Sequence, residues 1–235
     1  MGKTTGFHPL LFALLGVSLV GHGQSAATAD VRIRLALPRK ATHSPPPAVM
    51  WLKPLQPAPA FAAPAQERFT LLQKNRMFTP HLLVIPVGSQ VQFPNADPFF
   101  HNVFSLFDGK RFDLGLYEAG STKTVTFSRE GISYIFCNIH PEMSAVVVSL
   151  STPFYTIANS SGNFDLRNVP VGDYEFHVWI EGVPQPVLKG FTRHVHLAPG
   201  NDDLGALDIT MIQQHPPEHL NEYGRPYDKN AKPAY

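Results

Sequence analysis

Apolar residues in this chain recur at every second position, and helix-period patterns are nearly absent. Val31, Ile33, Leu35 and Leu37 are spaced this way, as are Val91 with Phe93, Val125 with Phe127 and Phe164 with Leu166. Tyr174, Phe176 and Val178 repeat the pattern, as do Leu207, Ile209 and Met211, with Phe191, Val195 and Leu197 forming a looser run. A period of two buries one face of a strand and wets the other. Turn signals separate the runs at Asp108-Gly109, Glu130-Gly131, Ser161-Gly162 and Gly172-Asp173. Many short punctuated strands predict an all-β protein built from β-sandwiches. The composition can supply the cores: 43% of the 235 residues are hydrophobic, 17 are Phe, and only 16% are charged. That charged share lies below the roughly 25% of ordinary soluble proteins, which excludes wholesale disorder.

Residues 1–29 read as an export signal. Lys3 is the only charged residue before Asp30, Leu10 to Gly21 form an apolar run, and Ala27-Thr28-Ala29 offers small residues for cleavage. The run is shorter than the ~20 residues a spanning helix needs. The chain is therefore expected in the periplasm or outside the cell, with no transmembrane span once processed; an uncleaved anchor is the alternative. Without residues 1–29, 18 basic side chains face 18 acidic ones. That balance gives no uniform field for nucleic acid or an anionic membrane. Composition shifts divide the rest. Residues 30–66 carry two strand-like runs and Pro-rich linkers at His43–Ala48 and Gln56–Gln66. Residues 67–150 are dense in Phe and Val, 151–212 hold further strands, and 213–235 form a polar, Pro-punctuated tail.

Cys137 is the single cysteine. It excludes an intramolecular disulfide, a four-cysteine zinc site and a cysteine-ligated iron–sulfur cluster. It lies in Phe136-Cys137-Asn138-Ile139-His140-Pro141-Glu142-Met143, just after the apolar run Ile132 to Phe136. Thiolate, imidazole and thioether thus fall at Cys-x2-His-x2-Met, and His101 lies 36 residues upstream. A Cys–His–His set with a weak axial Met is the ligand chemistry of a type 1 copper site. Soft sulfur favours Cu(I), and imidazole accepts both oxidation states.

These residues resemble the cupredoxins. The loop is similar to that of amicyanin, and Phe93-Pro94-Asn95-Ala96-Asp97 followed by His101-Asn102-Val103 is similar to plastocyanin-like domains. The resemblance covers about residues 67–150. It implies one copper ion held by His101, Cys137, His140 and Met143, with Asn102 tying the two ligand loops together. Amicyanin-like loops usually have Pro before the second His, whereas this chain has Ile139, whose N–H is free to donate to the Cys137 sulfur. Ser161-Gly162-Asn163-Phe164-Asp165-Leu166 through Pro170-Val171-Gly172-Asp173-Tyr174 resembles the carboxypeptidase regulatory-like (transthyretin-like) sandwich. Residues 151–212 are too few for such a domain, so the runs at 31–37 and 48–54 are expected to complete it, with the 67–150 block inserted.

The expected function is single-electron transfer through Cu(II)/Cu(I) with an exported redox partner docking near His140, by a chain acting as a monomer. An enzyme is not expected: Cys137 is flanked by Phe136 and Asn138, not by the histidines that wire oxidase and nitrite-reductase centres to a second copper. Two other readings stay open, a non-redox binding or adhesion module and a copper store or delivery protein. His194 and His196 share a strand face but lack an evident third ligand. His81 is expected to be structural, His215 and His219 fall in the tail, and Trp51 and Trp179 are expected in the second core.

Overall fold

Most residues of the period-two runs lie on strands, but Phe191 caps the end of a short helix and Met211 lies outside the described residues. The computed structural model describes residues 2, 27–37, 44–57, 67–106, 109–210, 220–221, 223 and 225–226. The export signal (apart from residues 2 and 27–29), His43 of the first Pro-rich linker, residues 58–66 of the second, and most of the tail, His215 and His219 included, lie outside the described residues. Strands β1 (Thr28–Ala36) and β2 (Ala48–Pro54) come first. They are followed by β3 (Phe69–Thr70), β4 (Leu72–Lys74), β5 (Met77–Thr79), β6 (Leu82–Pro86), β7 (Gln90–Pro94), β8 (His101–Ser105), β9 (Phe112–Tyr117) and β10 (Thr122–Thr126). Next are β11 (Gly131–Phe136), β12 (Ser144–Leu150), β13 (Tyr155–Ile157), β14 (Asn163–Pro170), β15 (Gly172–Ile180), one short helix α1 (Gln185–Gly190), β16 (Arg193–Leu197) and β17 (Gly200–Asp208).

Four larger sheets form two sandwiches. The order β10-β7-β3 faces β6-β12-β11-β8-β9, and their shared core holds Ile85, Val91, Phe93, Val103, Val125, Phe127, Ile135 and Val147. The order β14-β1-β17 faces β13-β2-β15-β16 around Val31, Ile33, Leu35, Met50, Leu52, Phe164, Phe176 and Val178. Each such side chain contributes ~1.5–3 kcal/mol on full burial. β1 pairs antiparallel with β14 and parallel with β17, while β2 pairs with β13 and β15. Both N-terminal strands therefore share sheets with strands that follow residue 150. Gly162 sits at φ +76° in the turn before β14, and a side chain there would begin 3.4 Å from Leu35 Cβ and from Pro45.

β12 joins the two sandwiches. Ala145 and Val147 point into the first core, whereas Val146, Val148 and Leu150 point into the second, beside Trp179. Burial on both faces explains why Ala145 to Val148 is a continuous apolar run and lacks alternation. Polar contacts frame this junction. The Trp179 indole N–H donates to the Tyr134 hydroxyl at 3.0 Å, Lys53 pairs with Glu130 at 3.0 Å, and His81 meets Glu181 at 2.6 Å.

Candidate metal centre

The site lies at one end of the first sandwich, where β8 begins and β11 ends. His101 opens β8, a strand buried along its whole length. Cys137 follows β11 directly, and Ser144 opens β12, so the segment between Cys137 and Met143 is a connection between two paired strands. That connection closes on itself. The Met143 N–H donates to the His140 carbonyl at 2.9 Å, and the Cys137 N–H reaches the Met143 carbonyl at 3.4 Å. Such a loop turns Cys137, His140 and Met143 inward together.

His101, Cys137 and His140 converge. Cys137 Sγ is 3.7 Å from His101 Nδ1 and 3.6 Å from His140 Nδ1, and the two Nδ1 atoms are 3.1 Å apart. A point equidistant from the three lies about 2 Å from each, close to metal–nitrogen and metal–sulfur bond lengths. All three residues are buried, His140 retaining 6% exposure. Among the described residues this is the one group of three or more His, Cys, Asp or Glu side chains whose ligand atoms gather this closely. Met143 is 1% exposed and packs in the same apolar cluster as Cys137. The donor set and its spacing fit a copper ion.

Asp97, part of the stretch that resembles plastocyanin-like domains but given no role from the sequence, orients the first imidazole. Its Oδ2 takes the His101 Nε2–H at 2.9 Å, leaving the Nδ1 lone pair aimed at the sulfur. The carboxylate also accepts the N–H groups of Asn75 at 2.6 Å and Arg76 at 3.0 Å. Burial pushes the Asp97 carboxyl up, but those two N–H groups and the His101 ring outweigh it and leave it below the ordinary carboxylate value. Asn95 supports the same loop: its side-chain oxygen accepts the Asp97 N–H at 3.0 Å, and its amide donates to the Phe99 carbonyl at 2.8 Å. The available signal was a carboxylate four residues before a histidine, which is weak without the fold.

Burial raises the Cys137 thiol above its ordinary value, opposed by N–H groups of Asn102, Ile139 and His140 directed at the sulfur. Asn102 thus reaches Cys137 through its backbone, while its side-chain amide donates to Asp113 on β9 at 2.8 Å. Burial likewise lowers His140, helped by the neighbouring His101. The Phe99 ring lies 5.3 Å from the His101 ring and 5.5 Å from that of His140, with the Arg76 guanidinium 5.3 Å over its face. Phe100 is exposed at the rim with Pro141, and Ile139 is half-buried.

The other candidates lie elsewhere. His194 and His196 are exposed on β16, opposite Glu175 and Asp173, and His196 Nδ1 pairs with Asp173 at 2.8 Å. Trp179 is buried in the second core, and half-buried Trp51 stacks on His177 with centroids 5.3 Å apart. No helix among the described residues is long and apolar enough to cross a membrane.

No protein-family model and no curated protein matches the chain. Among solved structures it is similar to a copper-containing nitrite reductase from Thermus scotoductus SA-01, at 27% identity and a TM-score of 0.35, over 41% of this chain and 26% of that one. It is similar to a purple cupredoxin from Nitrosopumilus maritimus at 26% identity and a TM-score of 0.32, over 35% of this chain and 98% of that one. An oxidised amicyanin variant matches at 19% identity and a TM-score of 0.33, over 35% of this chain and 81% of that one. The chain thus spans about a quarter of the nitrite reductase's length. Independently of these likenesses, two facing sheets with a buried His–Cys–His group at one end are a cupredoxin-like arrangement.

Proposed function

We propose that this protein is an exported type 1 copper protein that carries single electrons between redox partners. The convergence of His101, Cys137 and His140 at one end of a rigid sandwich carries the reading. Copper held there would supply a one-electron Cu(II)/Cu(I) couple. Cys137 would provide the thiolate, His101 and His140 their Nδ1 atoms, and Met143 the thioether. The surrounding residues do the rest. Asp97 fixes the His101 ring, the N–H groups of Asn102, Ile139 and His140 draw electron density from the sulfur, and close packing excludes water. Donors held by paired strands move little between oxidation states.

His140, with its residual exposure, is the route outward. Phe99, Phe100, Ile139 and Pro141 around it suit the brief, small-area docking of electron carriers. The balanced charge supports a mild ionic-strength dependence of partner kinetics. We read the chain as a carrier and not an enzyme on the neighbours of Cys137, Phe136 and Asn138. We further propose that β1 and β2 with residues 151–212 form a carboxypeptidase regulatory-like sandwich into which residues 67–150 are inserted; the pairing of β1 and β2 supports this.

Copper loading tests the reading. The Cu(II) protein is expected to be intensely coloured, to bleach reversibly with ascorbate, and to lose the colour in Cys137→Ser. A folded, colourless copper-treated protein would favour the binding-module alternative.

A further inference from the structure

The second sandwich grips both strands that feed the metal loop. On β11, Tyr134 accepts the Trp179 indole N–H at 3.0 Å, three residues before Cys137. On β12, the carbonyl of Ser144, the residue after Met143, lies 3.1 Å from His81 Nδ1, and His81 Nε2 is 2.6 Å from Glu181 Oε1. A carbonyl and a carboxylate can only accept, so the two contacts together favour the charged, doubly protonated imidazole, in which both ring nitrogens donate. His81 also extends the parallel β6–β12 ladder: its carbonyl takes the Val146 N–H at 2.8 Å, one rung before Val146↔Leu82. Glu181 is anchored in turn. Its N–H donates to the Pro47 carbonyl at 2.9 Å, just beyond the Ile180↔Ala48 end of the β15–β2 pair.

We propose that Glu181 and His81 are positioning residues for the metal loop, through which the second sandwich sets the stance of Met143. The inference rests on the copper reading for its redox consequence. The mechanical path is short. The Ser144 peptide is continuous with Met143, whose carbonyl and N–H close the loop onto Cys137 and His140. On its other side Ser144 pairs with Phe136, the neighbour of Cys137. Releasing the Ser144 carbonyl therefore loosens the thioether side of the site while leaving every donor atom in the chain.

The test uses the full-length chain with Glu181→Ala, Glu181→Gln and, as control, Lys53→Ala. The control removes another ion pair across the same junction, 3.0 Å to Glu130, without touching the loop. Metal-free Glu181→Ala is expected to show amide exchange at Met143 to Val146 about tenfold faster than the parent, the scale of a lost charge-assisted hydrogen bond. Copper-loaded Glu181→Ala is expected to shift its reduction potential and the balance of its visible charge-transfer bands. Glu181→Gln, which still accepts from His81, should recover most of both, and Lys53→Ala should move neither. Unchanged exchange and unchanged spectra in Glu181→Ala, or equal shifts in Lys53→Ala, would overturn the proposal. A blue parent with an unresponsive Glu181→Ala sinks this inference alone. A colourless parent whose exchange still responds sinks the copper reading and leaves the mechanical link supported.

Discussion

His101 enters the site with one nitrogen committed to Asp97, and both carboxylate oxygens of Asp97 are in turn engaged by N–H groups. In Asp97→Asn, whichever way the amide turns, an NH2 faces another donor. Copper retention against a chelator is expected to fall about 10–100-fold, as for other residues that orient metal ligands. Ile139 is a second point of leverage. Its N–H is one of three directed at the Cys137 sulfur, so Ile139→Pro, which removes that donor, should give a lower potential by voltammetry. An equal or higher value would contradict the assignment. His101, Cys137, His140 and Met143 stood out in the sequence because three of them share one short loop, whose spacing reads locally. Asp97 did not, because a carboxylate among Pro98, Phe99 and Phe100 reads first as a turn residue. Its role depends on N–H groups at positions 75 and 76 that only folding brings near.

Strands with one wet face were legible from alternation, and β1, β7, β14 and β15 follow it. β12 was not, because the sheet containing it is covered on both sides. Val147 and Val148 are each 0% exposed but belong to different cores. Val147→Ala and Val148→Ala are each expected to cost about 2 kcal/mol in denaturant unfolding, by lost burial plus residual cavity. A negligible cost for Val148→Ala would mean that this face of the sheet is not packed. The helix α1 also escaped the pattern, since six residues are too few to display a helical period.

At the scale of the molecule, the junction between sandwiches combines an apolar seam with charge. The hydrogen bond to Glu181, aided by its negative charge, raises the His81 pKa above its ordinary 6.5 despite partial burial. A raised folded-state pKa stabilises the fold fully below the unfolded value and ceases to do so as pH rises through the folded one. The Tm difference between the parent and Glu181→Gln should accordingly be greatest below about pH 6.5 and shrink on the alkaline side. A difference that grows with pH would reverse the assignment. The same seam makes residues 67–150 a poor independent unit: expressed alone, they expose Val84, Val146, Val148 and Leu150. Light scattering should find that fragment associated, while the full chain stays dispersed.

The pairing of β1 and β2 has a consequence for biogenesis. Val31 lies opposite Leu166 and Ala48 opposite Ile180, so the earliest-made strands bond to some of the latest. Closing such distant pairs is slow, and bare strand edges recruit other chains while they wait. A truncation or a stalled ribosome between residue 150 and the start of β13 would therefore do its damage at the opposite end of the chain, leaving two adhesive ribbons there with nothing to zip onto.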